Sequence, residues 1–141
     1  NGVTYRYEIR EVNTNSDDYI QTSMTSTTNK TNLINTVVAD KIVANKEWVD
    51  VPDNVVKTDV NVALYKYSYF LDSEYPLERK DIDINKLELV ENVPIKTLNT
   101  STNWECDWDR LPAYENDGRK IVYLAYEVEL NSDGTIKNIG W

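Results

Sequence analysis

Histidine is absent from this 141-residue chain, and cysteine and glycine are scarce. With no His and the single Cys106, the sequence excludes an intrachain disulfide and a zinc site built from Cys and His ligands. Only four Gly occur, and none of them belongs to a phosphate-binding Gly-rich loop. These absences argue against a metabolic enzyme, and we expect no cofactor and no metal.

Basic residues and long apolar runs are also lacking. The chain has 15 Lys and Arg against 24 Asp and Glu, a formal net charge of −9. Because nucleic acids and anionic membranes are bound through basic patches, we expect no nucleic-acid partner and no membrane contact in this segment. No apolar run approaches the roughly 20 residues of a membrane span, and no signal-like stretch follows Asn1. Any anchoring or targeting signal is expected outside this segment.

What the sequence does contain is an internal repeat between its two ends. Residues 2–20 and 118–136 align without gaps, and Glu127 lies 116 residues after its equivalent, Glu11. An ungapped repeat of domain length indicates a tandem array. We therefore expect residues 1–37 to be the last strands of an upstream repeat, or donated strands that complete the fold. Residues 38–141 are then a repeat that lacks its final strand.

Short segments rich in β-branched and aromatic residues make up most of the chain. No segment of helical length has a 3.6-residue apolar period. The pattern predicts an all-β chain, a β-sandwich of about seven strands, with turns at 115–118 and 133–134. Asn13–Thr31 and Ser68–Asp83 are expected to be connections between strands. The predicted strands are Val3–Val12, Asn32–Val38, Lys41–Trp48, Asp59–Tyr67, Lys86–Val90, Trp104–Trp108 and Ile121–Leu130.

Polar residues interrupt the apolar faces of three predicted strands. Because side chains alternate between the two faces of a strand, Glu11 and Glu127 fall on faces otherwise made of Ile, Val, Tyr and Ala. Lys46 shares its face with an Ile, an Ala and a Trp, and Asn35 shares its face with a Leu and a Val. Each has an ordinary explanation alone, since Lys side chains reach solvent and a buried Asn can pair with backbone. Together they predict an inward-pointing Glu, Lys and Asn.

These three residue types suit one reaction. A neutral Lys amine is a nucleophile, an Asn carboxamide is an electrophile, and a protonated Glu between them moves protons and polarises the carbonyl. Attack of the amine and departure of ammonia leave a Lys–Asn isopeptide bond. Such a bond forms once, without turnover, so we do not expect an enzyme in the usual sense.

Residues 104–127 resemble the signature of the Cna protein B-type domain. The run begins with a W-x-x-x-W strand at Trp104 and Trp108 and continues through Leu-Pro-Ala-Tyr and an acidic turn. It ends in a strand of I-x-Y-x-V-x-E type at Glu127, with Ala125 where the family commonly has Val. The match is close over the whole run, and the departure removes no reacting group.

Two further segments extend the resemblance. Lys46-Glu47-Trp48 resembles the opening K-x-W strand of the family, and Ile34-Asn35-Thr36 resembles its closing I-x-N-T strand. The resemblance covers most of residues 41–129, and residues 1–37 as the tail of a preceding copy. It implies an immunoglobulin-like or prealbumin-like β-sandwich. It also implies that the bond-forming residues are Lys46 and Asn35 and that the catalytic Glu residues are Glu127 and Glu11.

Domains of this family are modules of Gram-positive surface adhesins and pilins. The resemblance therefore implies an extracellular, cell-wall-attached stalk module that is stabilised by an isopeptide bond when the repeat is complete. Neighbouring repeats are the expected partners, with a host matrix protein or glycan bound through another domain. The alternative is an adhesive domain that binds a host protein or glycan directly, through some of its ten Tyr and four Trp.

The candidate site residues belong to different copies of the repeat. Glu11 and Asn35 close the upstream copy, whose Lys is expected before residue 1. Lys46 and Glu127 belong to the downstream copy, whose Asn is expected near position 151, 116 residues after Asn35. A linear array therefore predicts no bond within this chain. Alternatively the N-terminal segment supplies the missing strand by folding back or by exchange between chains, and exchange is favoured because only ten residues separate Asn35 from Lys46.

Overall fold

The computed structural model of the protein describes residues 18–70 and 82–140. These residues form nine β-strands and no α-helix, which confirms the all-β prediction. Within both ranges, no helix has the length and apolar character needed to cross a membrane. The strands are β1 Tyr19–Ser26, β2 Thr31–Val37, β3 Ile42–Asn45, β4 Val60–Tyr69, β5 Glu88–Leu89, β6 Lys96–Leu98, β7 Glu105–Trp108, β8 Lys120–Leu130 and β9 Ile136–Ile139.

Strands β4 and β8 form the centre of the main sheet. They pair antiparallel from Asn61 opposite Val128 to Tyr69 opposite Lys120. β9 pairs with β8, while β5 and β6 pair with different parts of β4. β3 and β7 form a second, two-stranded antiparallel sheet, and β1 and β2 form a hairpin. The two sheets pack as an immunoglobulin-like β-sandwich, as the sequence predicts.

Both faces of β4 are buried, which explains its almost unbroken apolar sequence. The inner core lies between the two sheets and contains Leu64 of β4, Leu98 of β6 and Trp108 of β7. Cys106 is half-buried against this core from β7, where it pairs with Ala44 of β3. On the opposite face of the main sheet, a smaller outer core contains Ala63, Tyr65 and Val128. Alternation along one strand thus supplies two cores.

The two acidic turns form hairpins where the sequence predicts them. Gly118 and Gly134 have φ angles of 93° and 87°, a conformation that residues with a Cβ rarely adopt. The amide of Gly118 donates to the carbonyl of Glu115 at 3.0 Å, and that of Gly134 donates to the carbonyl of Asn131 at 3.0 Å. Glycine at these two positions therefore fixes the ends of β8.

The sequence pattern does not predict three of the strands. The prediction that Asn13–Thr31 is a connection is wrong, because β1 lies within it. This strand has no apolar alternation to reveal it, since an exposed hairpin pairs through its backbone. β6 and β9 are three and four residues long, too short for a periodic signal. β4 also runs to Tyr69, into the connection predicted at Ser68–Asp83.

Two other predicted strands have different outcomes. The strand predicted at Lys41–Trp48 is shorter, since β3 ends at Asn45. The amide of Lys46 nevertheless still donates to the carbonyl of Trp104 at 2.8 Å. The strand predicted at Val3–Val12 lies outside the described residues.

Leu64→Ala is expected to destabilise the fold by about 2–5 kcal/mol, the usual cost of truncating a buried leucine. Leu64 is only 1% exposed and lies in the inner core. The matched control is Val43→Ala on the outer face of β3, where the side chain is 53% exposed. We expect that change to cost less than about 0.5 kcal/mol. Urea unfolding measures both, and equal losses would contradict this description of the core.

Candidate functional site

Lys46 and Glu127 meet on the inner face of the sandwich. Lys46 follows β3 on the face of Ile42 and Ala44, which pack against the inner core. Glu127 lies in β8 directly opposite the buried Val62 of β4. The Lys46 Nζ donates to the Glu127 Oε1 at 2.6 Å, and each side chain is 23% exposed. The inward orientation predicted for both residues is therefore confirmed.

Two tryptophans help to position Lys46. Its Nζ lies 4.8 Å from the ring centroid of Trp48, a cation–π contact. The ring of Trp104 packs edge-on against that of Trp48, with centroids 5.3 Å apart. Trp104 has a φ of 58°, costly for a bulky residue, and its carbonyl accepts the Lys46 amide hydrogen bond. These contacts hold the Lys46 backbone and side chain in one place.

The site leaves two buried polar atoms without partners. Among the described residues, the Trp48 Nε1 and the Glu127 Oε2 are the buried side-chain nitrogen and oxygen atoms that have no hydrogen bond. One is a donor and the other is an acceptor. A buried polar atom without a partner costs about 1–3 kcal/mol. Both residues contact the Lys46 Nζ, so a donor and an acceptor brought to this site would be stabilised.

The structure does not bring Asn35 into this cluster. Asn35 lies in β2 opposite Gln21 of β1, and its side chain is exposed. The expectation that Asn35 points into a core is wrong here, because β2 belongs to a two-stranded sheet and neither described core includes a residue of that hairpin. Glu11 lies outside the described residues, so its position is not described.

A second Lys–Glu pair occupies the same face of β4 further along the sandwich. The Lys66 Nζ lies 2.7 Å from the Glu115 Oε1, and the Ser68 hydroxyl donates to that oxygen at 2.7 Å. At about 3.3 Å per residue, Lys66 is about 13 Å along β4 from the residue opposite Glu127. The Glu115 oxygen has two donors, whereas the Glu127 carboxylate keeps a buried oxygen without one.

Sequence reasoning misses this second pair although the signal is present. Lys66 and Ser68 continue the inner face of β4 after Val60, Val62 and Leu64, as Lys46 continues that of β3. Glu115 has no such signal, because it lies in a turn and its partners are remote in sequence. The Tyr123 side chain packs against the inner core, and its hydroxyl donates to the Pro112 carbonyl at 2.6 Å.

A sequence model of the Cna protein B-type domain matches residues 42–138. The chain belongs to this family. Cna B-type domains are structural repeat modules of surface proteins, which is compatible with a protein that is not an enzyme. The matched range contains Lys46 and Glu127 and leaves out the hairpin that carries Asn35. No curated protein and no solved structure gives a significant match to the chain.

Glu115→Gln is expected to make the fold less sensitive to acid. Burial raises the pKa of Glu115, but hydrogen bonds from Lys66 and Ser68 outweigh it, so the folded-state pKa lies below the ordinary value of 4.5. The carboxylate therefore stabilises the fold above that value, and this contribution is lost as the pH falls through the lower folded-state pKa.

Urea midpoints measured from about pH 7 to about pH 3 test the expectation. The wild type should lose more stability over this range than Glu115→Gln. Glu105→Gln, at an exposed position of β7, is the control and should behave like the wild type. Equal acid sensitivity of the wild type and Glu115→Gln would rule out the stabilising role of this carboxylate.

Proposed function

We propose that the chain is a stalk module of a Gram-positive surface adhesin or pilin, located outside the cell and attached to the cell wall. In the complete repeat it is locked by an isopeptide bond from Lys46 to an Asn on the closing strand. The observation that carries the proposal is the 2.6 Å contact between Lys46 and Glu127 beside a buried carboxylate oxygen that has no partner.

The proposed reaction uses only groups of the protein. The Lys46 nitrogen attacks the carboxamide carbon, so that a new C–N bond forms and the bond to the original amide nitrogen breaks. Glu127, which already accepts a hydrogen bond from the Lys46 ammonium, is placed to take its proton first, which frees the lone pair of the amine for the attack. After the attack, a second proton moves from the Lys46 nitrogen to the leaving nitrogen, with the Glu127 carboxyl group as the relay. Ammonia departs, and the module reacts once without turnover.

The unpaired atoms at the site suit a carboxamide. An Asn side chain carries N–H donors and a carbonyl acceptor, so one such group offers partners to both the Glu127 Oε2 and the Trp48 Nε1. The same holds for the isopeptide, which keeps an N–H and a carbonyl. Hydrogen bonds to these two buried atoms would remove the cost of leaving them unpaired, and this would favour both docking of the Asn and formation of the bond.

An open strand edge lies beside the site. β3 pairs with β7 along one edge, and in the described parts of the chain no strand pairs with its other edge. Open edges accept additional strands. A closing strand that pairs there would carry its Asn next to Lys46, and the bond would join the first strand of the module to its last. Such a link opposes separation of the strands under tension.

The aromatic residues support a stalk more than direct ligand binding. Trp108 is 3% exposed, and Trp48 and Trp104 pack against the inner core. Tyr65 is buried in the outer core. Rings that pack in a core are not available to contact a ligand, so these residues favour a stalk over direct binding of a host protein or glycan by this module. Such a ligand belongs to another domain in our proposal.

Neighbouring repeats of the same protein are the proposed partners. Exchange between chains is a second route to the bond, because Asn35 is exposed on β2 and Lys46 lies at an open edge. In that arrangement β2 of one copy adds to β3 of another. The Asn35 of the first copy would then meet the Lys46 and Glu127 of the second.

A chain extended through the Asn expected near position 151 should have a mass lower than its sequence mass by one ammonia. Lys46→Ala should restore the full mass, because it removes the nucleophile. Lys66→Ala is the matched control, since it removes the lysine of the other half-buried Lys–Glu pair and should leave the mass loss intact. An unmodified mass in the folded, extended wild-type chain would contradict the isopeptide proposal.

Strand exchange predicts covalent dimers in concentrated solutions of the 141-residue chain. Asn35→Ala and Lys46→Ala should each remain monomeric on a denaturing gel, because each variant lacks one reacting group. Mixing the two variants should restore a dimer, since one supplies Lys46 and the other supplies Asn35. If the mixture yields only monomers, exchange is excluded, while the bond within a complete repeat is unaffected.

A further inference from the structure

The stretch that leaves the β1–β2 hairpin continues as β-structure into the sandwich. Val38 forms an antiparallel bridge with Pro112. The amide of Ala39 donates to the Leu111 carbonyl at 2.7 Å, and the amide of Ala113 donates to the Val37 carbonyl at 2.8 Å. On its other edge, the amide of Val38 donates to the Asp18 carbonyl at 2.8 Å. The end of β2 is thus held from both sides.

The segment that receives β2 is itself anchored in the sandwich. We call residues 111–116 the docking segment. Leu111 and Ala113 are buried at 8% and 7% exposure. The carbonyls of Pro112 and Ala113 accept hydrogen bonds from the Tyr123 hydroxyl at 2.6 Å and from the Ile121 amide at 3.0 Å. A continuous series of hydrogen bonds therefore runs from the hairpin through the docking segment to β8.

Side chains add a second contact between the hairpin and the docking segment. The Thr22 hydroxyl of β1 donates to the Asn116 side-chain oxygen. Asn116 follows Glu115, which is held by Lys66 and Ser68 of β4. The hairpin is thus attached at two separate places, and the four residues between β2 and β3, Val-Ala-Asp-Lys, contain neither Gly nor Pro. Two points of attachment oppose rotation about either one.

We infer that the docking segment is the surface on which each module receives the closing hairpin of the module before it, so that successive modules are joined stiffly. The partner is a preceding copy of this repeat, supplied within the same chain. The inference rests on the tandem organisation of the proposed function and not on the isopeptide bond. A stalk of such joints keeps the direction of the chain from module to module, whereas a Gly-rich linker would let it bend.

Residual dipolar couplings of the 141-residue chain test the joint. The amides of β1 and β2 and those of β4 and β8 should fit a single alignment tensor. Ala39→Pro, which removes the N–H that donates to Leu111, should give two tensors and accelerate hydrogen exchange at the Ala113 amide about tenfold, the effect of losing one backbone hydrogen bond. Ala39→Ser keeps the N–H and should behave as the wild type.

Thr22→Val provides a second variant without any change to the backbone. It removes the hydroxyl that donates to Asn116 and should accelerate exchange at Ala113 by a smaller factor. Two independent tensors in the wild type, or unchanged exchange in both Ala39→Pro and Thr22→Val, would overturn the inference. These measurements do not need the isopeptide bond. A negative result here would therefore leave the isopeptide proposal standing, and an unmodified mass in the extended chain would leave the stiff joint standing.

Discussion

The pairing of β4 with β8 is the constraint on which the rest of the structure depends. This ladder runs along the whole of β4 except its first residue, and every other strand of the main sheet pairs with one of these two. Because its register is fixed, alternate residues of β4 face the inner and the outer core. The same register sets Glu127 opposite Val62 and Lys66 opposite Tyr123. The register of β4 against β8 therefore determines both the composition of the cores and the position of the candidate site.

The two Lys–Glu pairs show how similar groups acquire different roles. Both pairs are half-buried on the inner face, with contacts of 2.6 and 2.7 Å. At Glu115 the ammonium and a serine hydroxyl share the same oxygen, and the interaction is structural. At Glu127 one oxygen remains buried and unpaired, as does the indole N–H of Trp48, whose ring contacts the same Lys46 Nζ. A site that is incomplete in its hydrogen bonding beside an open strand edge is suited to receive another group.

Sequence alone predicts the fold class and the central strands, because β4 and β8 carry clear apolar patterns. It also predicts that Lys46 and Glu127 point inward, since alternation within a strand is a local property. It does not predict β1, β6 and β9, whose pairing depends on neighbours and not on their own composition. The inward orientation of Asn35 fails for the same reason: which face of β2 is covered depends on what packs against it, and alternation cannot supply that information.

Packing of the single cysteine, Cys106, against the inner core lowers the reactivity of its thiol. Desolvation by burial raises the pKa of its thiol, although the charge of Lys96 opposes the shift, so the reactive thiolate is disfavoured. In the stalk that we propose, many copies of this thiol would lie close together outside the cell. Since a protonated, half-buried sulfur is a poor nucleophile, these copies would form disulfides with one another only slowly.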